Sequence, residues 1–381
     1  MKLRFRDGIL YLWMRLLKML DRRETGLATF DPDKVNSILV VSSTAIGDTL
    51  LSTPAIRSVR ERYPKAKIIA HFNVGNQELF ANNPHIDGIV PYFGGYRKFF
   101  RTVRELRRHR FDLALIFHGN EPQATPMAYL SGACFIIKVP NTSEYRFLLS
   151  NRDRVMICDE SSHAIEHRLQ VAELAGCISH DYRMELSLLS DAVPSVREYL
   201  HSNGIGEDDT IIGFQAGAST VSRMWFADRF AELGRKLVQS YPSAKIIITG
   251  SPQELSLCNR IADEIGAGAV VSAGKVPLKY LSALVKRCNV LVTGDTGIMH
   301  VAIAVGTPIV ALYAVADPRM SGPIYDQDRH VVISKGRVCD PCVGKRCAYQ
   351  ECMEQISVDE VEKAVSVCLE KNFGITPANC C

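Results

Sequence analysis

The sequence of 381 residues lacks a strong charge of either sign. Its formal net charge of +4 is spread along the chain, so charge gives no reason to expect nucleic-acid binding. Low-complexity segments and short-period repeats are also missing, which argues against a repeat architecture. With 47% hydrophobic residues the chain can bury a sizeable core, and its length suits two domains.

Two glycine-rich nucleotide motifs are absent. Neither G-x-G-x-x-G nor G-x-x-x-x-G-K-[ST] occurs, which argues against a dinucleotide-dependent reductase and a P-loop enzyme. Instead, the stretch STAIGDTLLSTP at residues 43–54 follows an apolar run and contains a single glycine. Its Asp48 has two interpretations: a helix N-cap, or a general base at the carboxyl end of a strand. The residues alone favour the cap.

A convincing export signal is missing too, although the N-terminal segment MKLRFRDGILYLWMRLLKMLDRR is basic and apolar. Arg15 and Lys18 interrupt its apolar run, no A-x-A-like site follows, and the run is too short to span a bilayer. Because the twelve cysteines occur in a large chain of α/β pattern, we expect a reducing cytoplasm rather than a disulfide framework.

The N-terminal segment is amphipathic when it is drawn as a helix. Its apolar face carries Ile9, Leu12, Trp13, Leu16, Leu17 and Leu20. Its polar face carries Arg4, Tyr11, Arg15, Lys18 and Arg22. Such a helix suits an anionic membrane surface, and it equally suits packing on the protein's own body.

Short apolar runs alternate with amphipathic stretches from Ser37 onward, and this series occurs twice. The pattern predicts an α/β fold of two Rossmann-like, doubly wound domains facing a central cleft. Expected strands lie at residues 38–41, 67–72, 88–90, 112–117 and 134–138, then at 210–215, 245–249, 269–272, 290–293 and 309–313. The expected divisions are an N-terminal helix at 1–30, domains at 31–190 and 191–355, and a C-terminal helix and tail at 356–381.

Three positions in the second series suit binding of a nucleotide diphosphate. Small residues ending at Ser219 follow an expected strand and allow a phosphate close to backbone amides. Arg223 can clamp a diphosphate, or it is an ordinary solvated arginine. Glu254 follows the next strand, where a carboxylate can accept both ribose hydroxyls or simply favour a helix start.

The strongest local signal is TGDTGIMH at residues 293–300, between two apolar runs. Its glycines, hydroxyl groups and helix N-terminus present free N–H groups to an anion. The triplet Asp295-Thr296-Gly297 also occurs in aspartic proteases, but those need two such aspartates in a largely β context. We therefore set the protease interpretation aside.

Four cysteines have the spacing C-x2-C-x4-C-x4-C. They are Cys339, Cys342, Cys347 and Cys352. Four thiolates in one short segment suit tetrahedral zinc or an iron centre, and reduced thiols or local disulfides are the alternative.

Taken together, IGDTLLSTPAIRSVRERYP, AGAS followed by R-x-W, GSPQE and GDTGIMHVAIAVGTPIVALY resemble glycosyltransferase family 9, the lipopolysaccharide heptosyltransferases. The resemblance runs in order from about Ser37 to Val365. It implies the GT-B fold and an inverting, metal-independent transfer of heptose from an ADP-activated donor to the inner core of lipopolysaccharide. It also implies that Asp48 is the general base and that Glu254 lies near the donor ribose. The residues implied around the diphosphate and sugar are Asp295, Thr296, Gly297, Ile298 and His300.

Two features depart from the family pattern. Arg223 stands where the family usually has lysine, which keeps the charge but changes its geometry. The segment at residues 118–123 also differs, which leaves the acceptor's identity open. Within it His118, Glu121 and Gln123 are predicted to line the acceptor side, with a structural loop as the alternative.

The predicted function is therefore an inverting glycosyltransferase that moves heptose from ADP-heptose to a lipopolysaccharide inner-core acceptor. Its chemistry needs no cofactor, and any zinc or iron at the cysteines would be structural. Expected partners are ADP-heptose, a lipid-linked core oligosaccharide and the inner membrane surface, with the protein peripheral on the cytoplasmic face. The alternatives are a GT-B transferase with another nucleotide sugar or glycan acceptor, and a non-catalytic nucleotide-sugar-binding protein.

Overall fold

The computed structural model describes residues 5–119, 121–139, 144–154, 162–343 and 347–378. Arg4 and Asn120, which belong to segments discussed above, lie outside these residues. The chain divides into two units, Met1–Glu185 and Leu186–Cys381. Each unit contains its own parallel sheet.

The sheet of the first unit has the strand order β3-β2-β1-β4-β5. Its strands are β1 (Ser37–Ser42), β2 (Lys67–Phe72), β3 (Gly88–Ile89), β4 (Leu113–His118) and β5 (Phe135–Lys138). Its helices are α1 (Phe5–Leu20), α2 (Ile46–Leu51), α3 (Thr53–Arg62), α4 (Phe99–Arg107), α5 (Ala124–Leu130) and α6 (Ala164–Glu173). The central strands β1 and β4 are buried almost throughout, as expected for a parallel sheet covered on both faces.

The sheet of the second unit has the order β11-β10-β9-β6-β7-β8. Its strands are β6 (Thr210–Gln215), β7 (Ala244–Thr249), β8 (Ala269–Val271), β9 (Val290–Gly294), β10 (Ile309–Tyr313) and β11 (Val331–Ser334). Its helices are α7 (Ala192–Ser202), α8 (Ala227–Ser240), α9 (Leu255–Ile265), α10 (Leu281–Arg287), α11 (Gly297–Val305), α12 (Pro318–Ser321), α13 (Glu351–Glu354) and α14 (Val358–Phe373). The buried face of α14 lies in the core of this unit.

These two doubly wound parallel sheets confirm the predicted fold class. Each of the ten expected strands is present, and several coincide with the expected bounds. One edge strand, β11, was not predicted. Its sequence has a short apolar run at residues 331–333, but only Ile333 is buried, so this edge strand lacks the two-sided burial of the inner strands.

The N-terminal helix α1 packs on the first unit with one side only. Leu10 and Met14 are buried in the core that contains β1 and β4. The stripe formed by Ile9, Leu12 and Leu16, which was predicted to share one apolar face, is exposed. Within the described ranges, the helices are all too short or too polar to cross a membrane.

Candidate active site

The first sheet has a topological switch point between β1 and β4. The chain adds β2 and β3 on one side of β1, and then β4 and β5 on the other side. Asp48 follows β1, and His118 is the last residue of β4. Ligands of doubly wound folds bind at such a point, outside the carboxyl ends of the strands. Two of the predicted residues therefore flank the expected ligand edge of this unit.

The N-cap interpretation of Asp48 is wrong. Helix α2 begins at Ile46 with Ala45 as its N-cap, and no side chain caps it. Asp48 is instead the third residue of the helix, where the dipole favours a negative charge. Its side chain is 29% exposed, so the carboxylate can still reach a ligand.

A hydrogen-bonded chain joins Asp48 to His118. The Thr44 hydroxyl donates to Asp48 Oδ2 at 2.7 Å. The Thr44 hydroxyl oxygen also lies 2.7 Å from His118 Nδ1. Because an ionised carboxylate only accepts, the single hydroxyl proton goes to Asp48, and His118 Nδ1 must donate to Thr44. His118 Nε2 lies 3.7 Å from Asp48 Oδ1.

A buried guanidinium, Arg168 of α6, completes the surroundings of Asp48. Its Nη2 lies 3.3 Å from Asp48 Oδ1, its Nε donates to Ser52 Oγ at 3.0 Å, and its Nη1 donates to the Ala164 carbonyl at 2.6 Å. Burial lowers the pKa of Arg168 to about 10, and the Asp48 carboxylate opposes that shift. Arg168 is therefore still a cation at neutral pH, and it stabilises the ionised form of Asp48.

The other two residues predicted for the acceptor side are engaged within the fold. Glu121 forms an ion pair with the buried Lys138, and it accepts a hydrogen bond from the Thr125 hydroxyl. Gln123 is buried, and its Oε1 accepts a hydrogen bond from Tyr92 Oη at 3.3 Å. Both interactions fix the loop that follows His118, while a role in acceptor binding stays a prediction.

The predicted donor residues of the second unit follow three neighbouring strands. Strands β9, β6 and β7 are adjacent in the sheet, and the switch point lies between β9 and β6. Ser219 and Arg223 come after β6, and Ser219 is exposed. Glu254 comes after β7, and Asp295 comes directly after β9. The sheet order thus brings residues that are far apart in sequence to one edge.

Asp295 and Arg223 form an ion pair at this edge. Arg223 Nη1 lies 3.2 Å from Asp295 Oδ2, and the Ser321 hydroxyl donates to Asp295 Oδ1 at 3.3 Å. Gly294 allows the backbone of the Arg223 segment to approach the end of β9, because a Cβ at this position would lie 2.6 Å from the Arg223 carbonyl oxygen. Arg223 is thus held in place rather than free in solvent.

Helix α11 begins immediately after this ion pair. Its N-cap is Thr296, which makes no side-chain cap, and its hydroxyl lies 3.1 Å from that of Thr293. Gly297 and Ile298 open the helix, and His300 is buried in its first turn and a half. The first amides of such a helix have no intrahelical partner, so they can bind an anion.

Glu254 lies against the backbone at the ends of β6 and β7. A Cβ on Gly217 would lie 1.8 Å from Glu254 Oε1, so the carboxylate occupies the space that the glycine leaves open. Its Oε2 accepts a hydrogen bond from the Ser251 amide at 2.7 Å. The carboxylate thus packs against the fold at these strand ends, and its contact with a donor ribose stays a prediction.

The four cysteines of the C-x2-C-x4-C-x4-C segment range from exposed Cys339 to buried Cys352. The pKa of the Cys339 thiol is raised by desolvation and then by the neighbouring Cys342. Among the residues that the structure describes, which leave out 344–346, no three histidine, cysteine or acidic side chains are arranged to hold a metal ion. A structural metal at these cysteines therefore stays a prediction.

Comparison with known proteins agrees with this architecture. The family model of glycosyltransferase family 9 (heptosyltransferase) matches residues 99–353, which is more than half of the chain. Lipopolysaccharide heptosyltransferase 2 of Salmonella typhimurium is 25% identical over 319 residues, covering 78% of this chain and 88% of that protein. A family 9 glycosyltransferase of Veillonella parvula has a TM-score of 0.75 at 23% identity, covering 88% of this chain and 98% of that one. Escherichia coli ADP-heptose LPS heptosyltransferase II has a TM-score of 0.70 at 21% identity, covering 88% and 99%. The resemblance is thereby confirmed: the chain belongs to glycosyltransferase family 9, the heptosyltransferases, and is an enzyme that transfers a sugar.

Proposed function

We propose that this glycosyltransferase moves a heptose from ADP-heptose to a sugar hydroxyl of a lipopolysaccharide core acceptor, with inversion at the anomeric carbon. The observation that carries the proposal is the position of Asp48. An accessible carboxylate stands at the switch point of the first sheet, with a buried cation 3.3 Å behind it. The names of the curated relatives supply the sugar and the acceptor class.

Asp48 would act as the general base. The acceptor hydroxyl gives its proton to the Asp48 carboxylate while its oxygen bonds to the anomeric carbon. The bond from that carbon to the diphosphate oxygen breaks, and ADP leaves with the electron pair. Arg168 keeps the base ionised before the acceptor binds, and Thr44 orients it. His118 would face the acceptor beside it.

The second unit would bind the donor and stabilise the leaving group. The free amides at the start of α11, at Gly297 and Ile298, and the Arg223 guanidinium suit the diphosphate. Asp295 orients Arg223, Glu254 suits the ribose hydroxyls, and Ser219 suits a phosphate oxygen. These roles need no metal or cofactor.

The acceptor of such a reaction is a lipid-linked saccharide, so the enzyme would work at the cytoplasmic face of the inner membrane. The name of a Haemophilus influenzae relative, lipopolysaccharide core heptosyltransferase OpsX, describes a related acceptor. The basic, amphipathic α1 suits a peripheral position on that membrane.

A thermal-shift panel tests the donor assignment. The purified protein is heated with ADP-heptose, other ADP-sugars, UDP-sugars, GDP-sugars, or NAD as a control. A ligand at a hundred times its Kd should add about 2.7 kcal/mol of stability. We expect stabilisation by ADP-heptose. A response only to UDP- or GDP-sugars would be compatible with the fold but would contradict ADP-heptose as the donor.

Substitution of Asp48 tests the base. Asp48→Asn keeps the shape but cannot accept the proton, so kcat should fall by about 10²- to 10⁴-fold while ADP affinity is unchanged. His118→Gln is the comparison variant: it removes the imidazole that bonds Thr44 but leaves the carboxylate, so kcat should fall less than in Asp48→Asn. Undiminished transfer by Asp48→Asn together with collapse in His118→Gln would assign the base to the histidine.

A further inference from the structure

We propose that α1 and α4 together form the surface by which this enzyme docks on an anionic lipid membrane. This α1–α4 surface consists of the exposed apolar stripe of α1, Phe100 of α4, and the exposed arginines of α4 and of the segment just before it. The inference deepens the proposed function, and it rests on that function for the choice of a lipid surface as partner.

The apolar stripe of α1 is continuous and open to solvent. It consists of Phe5, Ile9, Leu12, Leu16, Met19 and Leu20, which are 53–84% exposed. Their spacing of three or four residues places them on one side of the helix, along its whole length. Single exposed apolar residues are ordinary on protein surfaces, but a stripe of six marks an interaction site.

This stripe is not an unused core face, because α1 already has another side buried. Leu10 and Met14 lie in the core of the first unit, and the Tyr11 ring packs at a tilt against Tyr145, with centroids 5.7 Å apart. Asp7 accepts a hydrogen bond of 2.7 Å from Tyr96 Oη in the segment before α4. The helix is thus held on the body while a second apolar side points outward.

Helix α4 extends the surface and supplies its charge. Phe100 is 72% exposed, and its ring centroid lies 6.2 Å from that of Trp13, which neighbours the stripe on α1. Four exposed arginines lie near Phe100 in sequence: Arg97 just before α4, and Arg101, Arg104 and Arg107 within it. Glu105 is the one acidic residue of this helix, and it pairs with Arg108.

The apolar stripe and the four exposed arginines match the two properties of an anionic membrane, its apolar interior and its negative surface charge. Apolar side chains enter the boundary between headgroups and acyl chains, while each arginine near the headgroups adds attraction. A second copy of the chain fits less well, since it would bring a second set of arginines to the same interface.

Vesicle co-sedimentation tests the surface with the full chain. Phosphatidylcholine vesicles and vesicles of phosphatidylcholine with phosphatidylglycerol are mixed with the wild type and two double variants. Leu12→Gln/Leu16→Gln removes apolar contact, and Arg101→Gln/Arg104→Gln removes charge. We expect binding to the anionic vesicles only, and a loss of about tenfold in each double variant. Raising the salt concentration should weaken the wild type more than the arginine variant.

Matched controls lie elsewhere on the protein. Ile178→Gln/Val367→Gln changes two other exposed apolar residues, and Lys363→Gln/Lys371→Gln removes two other exposed charges. These variants should bind vesicles like the wild type. Equal loss in the controls, or wild-type binding by both α1 and α4 variants, would overturn the proposal. Loss of a vesicle-free dimer in the Leu12/Leu16 variant, seen by light scattering, would assign the stripe to a second copy instead.

Transfer assays separate this proposal from the proposed function. The Leu12/Leu16 variant should transfer heptose normally to a deacylated, water-soluble core acceptor and several-fold more slowly to the same core in vesicles. Absence of transfer to either acceptor by the wild type would overturn the proposed function while leaving the vesicle-binding result readable. Equal rates of the Leu12/Leu16 variant on the two acceptors would contradict the proposed docking surface.

Discussion

At the scale of single residues, the environment of Asp48 explains how a short helix can present a reactive carboxylate. The carboxylate would be costly beside a buried apolar sheet without a partner, and Arg168 would be costly inside α6 without an anion. Each stabilises the charged form of the other. Arg168 is buried and Asp48 is partly exposed, so Asp48 is the member of the pair that a ligand can contact.

We expect Arg168→Gln to act through the charge of Asp48. Loss of the cation should reduce kcat/KM by about tenfold and move the acid limb of its pH profile to higher pH by about one unit. Arg168→Lys keeps a charge and should restore part of the rate. A lower melting temperature with an unmoved pH profile would reduce Arg168 to a structural role.

His71 predicts a loss of stability on acidification. Burial lowers the pKa of this histidine to about 4, although its Nδ1 bonds the Val90 carbonyl. The unfolded chain takes up a proton as the pH falls through about 6.5, whereas the folded protein does so only near 4. The free energy of unfolding should therefore fall by roughly 3 kcal/mol across this window.

Urea unfolding at pH 7.5 and pH 4.5 measures this effect. The fall between the two pH values should be smaller in His71→Gln than in the wild type, whatever the variant's absolute stability. His201→Gln, at an exposed histidine, serves as the control and should keep the wild-type fall. An identical fall in all three proteins would contradict the assignment.

Local sequence order locates some residues of the site and not others. The positions of Asp48 and Asp295 near strand ends could be predicted from local order, because Asp295 directly follows β9 and Asp48 follows β1 after a short turn. Arg168 could not, because it lies 120 positions from Asp48, in a segment without a strand to locate it. A lone arginine in a polar stretch gives no sign that folding will bury it.

At the scale of elements, the strands were predictable because burial on both faces leaves continuous apolar runs. The ends of the helices were harder to predict than the strands. Helix α4 begins only at Phe99, directly after Lys98, which adopts a left-handed conformation with φ 54°. The N-cap of α14 was predictable from Ser357, whose side chain accepts a hydrogen bond from the Glu360 amide.

We expect Gly294→Ala to disturb the contact between the end of β9 and the segment that carries Arg223. The new Cβ would meet a backbone oxygen at 2.6 Å, so one segment must move. The variant should lose about 1–3 kcal/mol of stability and bind ADP more weakly. Gly336→Ala is the control, since nothing lies within 4 Å of its new Cβ. Wild-type ADP affinity in Gly294→Ala would show that the ion pair is not needed for the donor.

At the scale of the whole molecule, each unit has its own sheet and its own core. The predicted donor residues all lie in the second unit. We therefore expect scanning calorimetry to resolve two unfolding transitions. ADP should raise the melting temperature of only one of them, that of the second unit. The Gly294→Ala substitution should lower the melting temperature of that same transition. A single transition, or an equal shift of both by ADP, would contradict independent unfolding of the units.

The two tryptophans are distributed one to each unit, which gives the protein a fluorescence probe for each. Trp225 is buried beside Phe230, and its Nε1 donates to the Ile356 carbonyl at 3.0 Å. Trp13 is half-buried on α1 beside Phe100. In Trp225→Phe, the remaining emission comes from Trp13 alone and should shift to the blue when the α1–α4 surface enters lipid. In Trp13→Phe, the emission comes from Trp225, two residues beyond Arg223, so it can follow nucleotide binding. Events on the two units can thus be observed separately without an attached dye.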